Sequence, residues 1–125
     1  MKKSGRVLIA EDQALIAALI EATLADEGYD VTTVYSGSEA IAALEGSASP
    51  FDALITDIRM EPGPDGWTVA AMAREGEPRI AVLYMTGDSM DAWRARGVTD
   101  SVLLTKPFVP DQILAAVTGL LTGRG

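Results

Sequence analysis

Val7-Leu8-Ile9-Ala10-Glu11-Asp12-Gln13-Ala14-Leu15-Ile16-Ala17-Ala18-Leu19-Ile20 is the stretch from which the fold is read. Four consecutive apolar residues stop abruptly at an acidic pair. A run this short can be a buried strand or a piece of helix, and its Val and Ile content and hard acidic stop favour a strand. From Ala14 to Glu27 the period changes: Leu15, Ile16, Leu19, Ile20 and Leu24 recur at helical spacing, and Gly28 stands where a helix ends. The unit is a strand followed by an amphipathic helix.

The same alternation continues to the end of the chain. Asp30 to Tyr35 is rich in Val and Thr, and Ser36-Gly37-Ser38-Glu39 has the form of a capping box ahead of Ile41 and Leu44. Gly46-Ser47-Ala48-Ser49-Pro50 breaks that helix, Phe51 to Thr56 is a third apolar strand, and Asp57 ends it. A loop of turn residues, Met60-Glu61-Pro62-Gly63-Pro64-Asp65-Gly66, leads to a helix from about Trp67 to Arg74. Ile80 to Thr86 reads as a strand, Met90 to Arg96 as a short helix closed by Gly97, Ser101 to Thr105 as a strand, and Asp111 to Leu121 as the last helix. Five strands alternating with five helices predict a doubly wound α/β fold, a five-stranded parallel sheet covered on both faces.

Composition narrows the chemistry. The chain has 125 residues, no histidine and no cysteine. That excludes a disulfide framework, a thiolate zinc site, a Ser-His-Asp triad and a phosphohistidine carried by the chain itself. The length predicts one domain over residues 1–125, with a core over about 5–122 and no output domain. A net charge of −8 disfavours nucleic acid and anionic lipid as partners. The apolar run after Met1-Lys2-Lys3-Ser4-Gly5-Arg6 is too short for a signal peptide or a membrane span, so a soluble, cytoplasmic protein is expected. Lys2, Lys3 and Arg6 read as a solvated tail, Arg94 and Arg96 as a solvated helix face, Trp67 as a core anchor, and Trp93 as core or an exposed partner-binding aromatic.

In open parallel sheets, ligands bind at the carboxyl ends of the strands, near the reversal of strand order. Glu11 and Asp12 follow the first strand, Asp57 the third, Thr86 the fourth and Lys106 the fifth. Three carboxylates at one rim repel each other and call for a cation. Oxygen ligands alone point to a hard ion, and Mg2+ fits best. Mg2+ and Lys106 together balance three carboxylates, leaving a site able to take a phosphoryl group. Each residue also has an ordinary reading. An acidic pair before a helix favours its dipole, Asp57 can simply end a strand, Thr86 can be a turn residue and Lys106 a solvated loop lysine. Only the constellation raises them together.

Glu11-Asp12, Asp57, Met85-Thr86-Gly87 and Lys106-Pro107-Phe108, in that order at successive strand ends, resemble the CheY-like receiver domain of bacterial two-component response regulators. Asp57-Ile58-Arg59-Met60, followed by the Pro/Gly loop and Asp65-Gly66-Trp67, is similar to that family's segment after its phosphoacceptor. The resemblance covers essentially the whole chain. It implies that Asp57 takes a phosphoryl group from the phosphohistidine of a histidine kinase or phosphotransfer protein. It further implies that Asp12 and Asp57 ligate Mg2+, with Glu11 directly or through water and the Arg59 carbonyl. Lys106 would pair with a phosphoryl oxygen, Thr86 would donate its hydroxyl, and the Lys106-Pro107 bond would be cis. Arg59 and Asp88 correspond to positions that modulate hydrolysis, and helix four, strand five and helix five to the usual partner face.

Two departures stand out. Glu61 lengthens the loop after Asp57 by one residue. Leu103 occupies the position where the family commonly has a Tyr or Phe that follows phosphorylation, so the resemblance is to an atypical stand-alone subgroup lacking the aromatic switch. The principal expectation is a phosphorylation-dependent signalling switch, acting as shuttle, sink or regulator. Leu103 and the longer loop keep open a degenerate receiver that binds partners without phosphate. A small aspartyl-phosphate hydrolase stays open more weakly, because Arg59 stands where such enzymes place a second acid. A flavodoxin-like FMN protein lacks its phosphate loop here.

Overall fold

The computed structural model describes residues 5–87 and 90–122. Along the chain the elements are β1 (Arg6–Ala10), α1 (Ala14–Asp26), β2 (Asp30–Val34), α2 (Gly37–Gly46), β3 (Ala53–Asp57), α3 (Gly66–Gly76), β4 (Ala81–Thr86), α4 (Met90–Arg96), β5 (Val102–Thr105) and α5 (Pro110–Thr122). The strands form one parallel sheet in the order β2-β1-β3-β4-β5. Strand order therefore reverses between β1 and β3, which opens a crevice at their carboxyl ends.

Period-two alternation sorts the strand side chains onto two faces. Leu8, Ala10, Leu54, Val82 and Tyr84 pack against Ala40 of α2 and against Trp67, Val69, Ala70 and Ala73 of α3. Val7, Ile9, Ile55, Leu83 and Met85 pack against Ile20 and Leu24 of α1 and Ile113 and Val117 of α5. Because both faces are covered, central strands carry no polar alternation, and β3 and β4 are buried at every position. Each fully buried Leu or Ile here stabilises the fold by roughly 1.5–3 kcal/mol of transfer free energy.

The ends of the elements follow local chemistry. The amide of Gly28, at φ +101°, bonds the Ala25 carbonyl and that of Tyr29 bonds the Leu24 carbonyl. This pair of bonds is a Schellman termination of α1, with Tyr29 and Leu24 buried together. At α2, Ser36 accepts the Glu39 amide at 3.1 Å as expected of an N-cap. The Glu39 carboxylate, however, reaches the Tyr35 amide at 3.0 Å, one residue further back than a capping box requires. At α3, Asp65 is the N-cap, accepting the Thr68 amide at 3.0 Å.

Several expectations are corrected in detail. β3 begins at Ala53, because Phe51 and Asp52 stand ahead of it, and the β3 ladder includes Asp57 itself. α3 runs two residues beyond Arg74. Arg6 is no solvated tail: it belongs to β1 and its guanidinium lies 4.4 Å from the Phe51 ring centroid. That guanidinium also donates to Ser47 Oγ and to the Ser49 and Pro50 carbonyls. Arg96 lies over the Trp67 ring at 5.4 Å, so its guanidinium is not merely solvated. Trp67 is buried in the core and tilted against Tyr84, whereas Trp93 is half-buried and donates its indole N–H to Ser101. Among the described residues no helix is long and apolar enough to cross a membrane.

Candidate functional site

Three backbone hydrogen bonds extend the ladders beyond the strands and bring their ends level. Glu11 N–H bonds the Val34 carbonyl at 3.1 Å, Ile58 N–H the Met85 carbonyl at 3.1 Å, and Lys106 N–H the Thr86 carbonyl at 2.7 Å. Since Ala10 is paired with Thr56, one further step sets Glu11 beside Asp57. The acidic pair does not occupy the first turn of α1. Gln13 is the N-cap, without a side-chain cap bond, and both acids precede it. Glu11 nevertheless serves the helix end, accepting the Gln13 amide on Oε2 at 2.9 Å.

The three carboxylates Glu11, Asp12 and Asp57 each offer an oxygen within 4.8 Å of the others. Asp12 is exposed, Asp57 is 7% exposed and Glu11 is fully buried. Lys106 bridges the two buried acids, with Nζ 2.9 Å from Glu11 Oε1 and 3.2 Å from Asp57 Oδ2. Burial pushes the Glu11 carboxyl up to about 7, and the Asp57 charge adds to the rise. The Gln13 amide and the Lys106 ammonium oppose it without cancelling it. Burial pulls the Lys106 ammonium down, but its bond to Glu11 and the Asp57 charge outweigh this, so its affinity for a proton is raised.

A cleft of about 390 Å³ opens over this cluster, lined by Asp12, Gln13, Asp57, Arg59, Thr86, Gly87 and Lys106. Four of the five rim residues read from the sequence line this cleft, Thr86 buried among them, and Glu11 joins them from beneath through Lys106. The Lys106-Pro107 bond is cis, and so is Glu61-Pro62 in the loop between β3 and α3. Asp88 lies outside the described residues. Leu103 does not reach the cleft: it packs with Tyr84 and Val82 on the α2–α3 face, paired in register with Tyr84. Tyr84 is buried, and its hydroxyl accepts the Val98 amide at 3.1 Å. Burial also raises the proton affinity of that phenol, with the Val98 bond and Arg74 opposing.

Two contributors were missed by the sequence reading. Gln13 acts through its backbone amide, which no residue type announces. Gly66 acts by having no side chain. A Cβ there would stand 2.3 Å from the Asp57 carbonyl oxygen and 2.9 Å from Ile58 Cα. The loop returns through Gly66 N–H to the Ile58 carbonyl at 2.8 Å, which closes the segment carrying Arg59. The Asp-Gly dipeptide after a Pro/Gly turn was the available signal.

The oxygen-only donor set and crowded negative charge suit a hard divalent cation. Comparison with known proteins agrees with this architecture. A response regulator receiver protein from Sinorhizobium medicae is 41% identical and superposes with a TM-score of 0.92 over 98% of both chains. The receiver domain of the sensor histidine kinase PA1611 from Pseudomonas aeruginosa is 25% identical, with a TM-score of 0.81 over 96% of this chain and 99% of that one. That domain holds a magnesium ion in its active site cleft. The transcriptional regulatory protein TcrA of Mycobacterium tuberculosis is 35% identical over 92% of this chain and 45% of its own length. The chain spans about half the length of the curated relatives it matches. The sequence pattern of the response regulator receiver domain matches residues 7–118. Because that match runs from β1 into α5 and takes in all five strand ends, the chain belongs to the family of response regulator receiver domains.

Proposed function

We propose that this chain is a phosphoryl-accepting signalling receiver in which Asp57 is the nucleophile. The observation that carries the proposal is the Lys106 bridge between Glu11 and Asp57 at the floor of an open carboxylate cleft. Asp57 combines limited exposure with an ammonium partner, which keeps a carboxylate oxygen aimed at the cleft. In transfer, that oxygen bonds to phosphorus while the P–N bond of a phosphohistidine breaks and its electron pair returns to the imidazole. The imidazole comes from outside these 125 residues, which contain no histidine. On this reading Lys106 Nζ moves from Asp57 Oδ2 to a phosphoryl oxygen, and Thr86 donates its hydroxyl to another. Arg59 lines the mouth, where its guanidinium can meet the incoming phosphate. Mg2+, held by Asp12 and Asp57, with Glu11 directly or through water and the Arg59 carbonyl, would supply charge neutralisation at the phosphoryl oxygens.

The partner that brings the phosphohistidine is a sensor histidine kinase or a histidine phosphotransfer protein. Beside the cleft, α1 presents Leu15, 88% exposed, and Leu19, 42% exposed, an apolar face suited to a helical partner. The downstream target is a protein that reads the α4, β5 and α5 face. Chemistry of this kind makes the chain a phosphoacceptor, not an enzyme with turnover of a separate substrate.

Intact mass after incubation with Mg2+ and acetyl phosphate tests the assignment. Wild type gains one phosphoryl group and Asp57→Asn gains none. An unmodified wild type, with a cognate kinase also inactive, sinks the phosphoacceptor reading in favour of a phosphate-independent binding module. Sustained phosphate release from unrelated phosphoesters would instead mean a hydrolase.

A further inference from the structure

A larger cavity lies at the other end of the sheet. It has a volume of about 640 Å³ and sits between the C-terminal ends of α2 and α3 and the loop that joins α2 to β3. Phe51 and Ile80 mark its position, just ahead of β3 and β4, whereas Asp57 and Thr86 end those strands. At about 3.3 Å per residue the two sites are roughly 20 Å apart.

The floor is apolar: Ile41 and Leu44 from α2, Met72 from α3, with Phe51 and Ile80 beneath. Met72 gives that floor an adaptable side chain. The rim is acidic, with Glu45 on the α2 wall and Glu75 and Glu77 on the α3 wall. Among the described residues no lysine or arginine lines the cavity. Both helices also end here, so their negative dipole ends converge. α2 has no basic residue in its last turn, and the one in α3, Arg74, turns away to the Ile80 carbonyl at 2.7 Å and the Thr99 carbonyl at 2.6 Å. One corner shows what this surface accepts, because the Arg6 guanidinium already stacks on Phe51 and bonds the Pro50 carbonyl.

We propose that this groove docks a basic amphipathic segment of a partner protein, whose apolar side chain enters between α2 and α3 while flanking Lys or Arg residues meet Glu45 and Glu75. Glu45 belongs to α2 and Glu75 to α3, so a segment with basic residues on either side of an apolar anchor can meet both walls. Since the groove is remote from Asp57, its occupancy does not compete with phosphoryl transfer, and it offers a second, phosphate-independent attachment.

The test uses the full chain, amide chemical shifts and three blocked hexapeptides at low salt: Lys-Lys-Leu-Leu-Lys-Lys, Lys-Lys-Ser-Ser-Lys-Lys and Glu-Glu-Leu-Leu-Glu-Glu. The first shifts Ser47, Met72 and Gly76, and the other two leave them in place. Glu75→Lys weakens binding about tenfold, whereas Glu21→Lys on α1, with the same change in net charge, alters it by less than about twofold. Gly76→Trp supplies a second handle. A Cβ at Gly76 meets nothing within 4 Å, so the backbone there tolerates a side chain, and the indole blocks the groove and abolishes the shifts. Asp57→Asn binds as wild type does. Equal weakening by Glu21→Lys, equal binding of the serine peptide or of arginine amide, or shifts confined to the Asp57 cleft overturns the proposal. A dimer in sedimentation that Glu75→Lys dissolves would make a second copy the occupant and overturns it too.

Discussion

Replacing Glu11 by Gln should make the metal-free protein more stable at pH 8, and the gain should disappear as the pH falls. Glu11 is fully buried, and its carboxyl is pushed up from 4.5 to about 7 chiefly by that burial. Its proton is held more tightly in the folded chain than in the unfolded one. The stability it contributes is therefore fully present below about pH 4.5 and is lost as pH rises through about 7. At ~1.36 kcal/mol per unit, a rise of this size costs the folded state on the order of 3 kcal/mol once Glu11 is ionised. Gln keeps the shape and removes the ionisation. It also gives up the ion pair with Lys106 at 2.9 Å, an effect already contained in the net rise. The assay is urea unfolding in EDTA between pH 5 and 8, read as the difference between Glu11→Gln and wild type. Taking the difference cancels the titration of carboxylates common to both. The Gln variant should gain most at pH 8 and least at pH 5, and adding Mg2+ should close the gap at pH 8 by stabilising wild type more. A difference that stays flat across this range would refute the argument that desolvation governs Glu11.

Three further outcomes are expected. Lys106→Met should cut labelling by acetyl phosphate about 100-fold while tightening Mg2+ binding by calorimetry, because a competing cation is gone; loss of both together would mean that the lysine only holds the carboxylates in place. Gly66→Ala should destabilise the fold by more than about 2 kcal/mol, since its Cβ has backbone atoms of Asp57 and Ile58 within 3 Å and a flexible side chain cannot yield there. A urea midpoint equal to that of wild type would contradict it. Tyr84→Phe removes the acceptor of the Val98 amide and should cost about 1 kcal/mol, with the largest increase in amide exchange at Val98. Unchanged exchange there would show that the phenol does not tie β4 to the segment after α4.

The order of elements and the place of the rim were legible because both rest on local pattern. Unbroken apolar runs at β1, β3 and β4 mark strands covered on two faces, and the change to helical spacing after each marks the crossover. Residues that follow such strands then fall at one edge by topology alone. Element ends were less legible. Asp65 as an N-cap and Asp57 as a ladder residue depend on backbone partners at Thr68 and Met85, which residue type does not reveal. Arg6 was misread for a related reason: its neighbours in sequence are polar and basic, but its partners, Ser47 and Phe51, arrive from more than forty residues away.

From residue types and spacing alone came the five-stranded parallel architecture and the set Glu11, Asp12, Asp57, Thr86 and Lys106. Tertiary structure decided how those residues differ from one another. Glu11 stays with the sheet through the Val34 carbonyl and is buried, while Asp12, one residue on, is exposed. Burial raises the Glu11 carboxyl, while Asp12 lines the cleft. Lys106 meets acids 95 and 49 residues distant, and Leu103, three positions earlier, packs against Tyr84 on the α2–α3 face. Adjacent residues in a chain share composition and charge pattern. Burial and long-range hydrogen bonds, which set pKa and reactivity, exist only once the strands have been brought together.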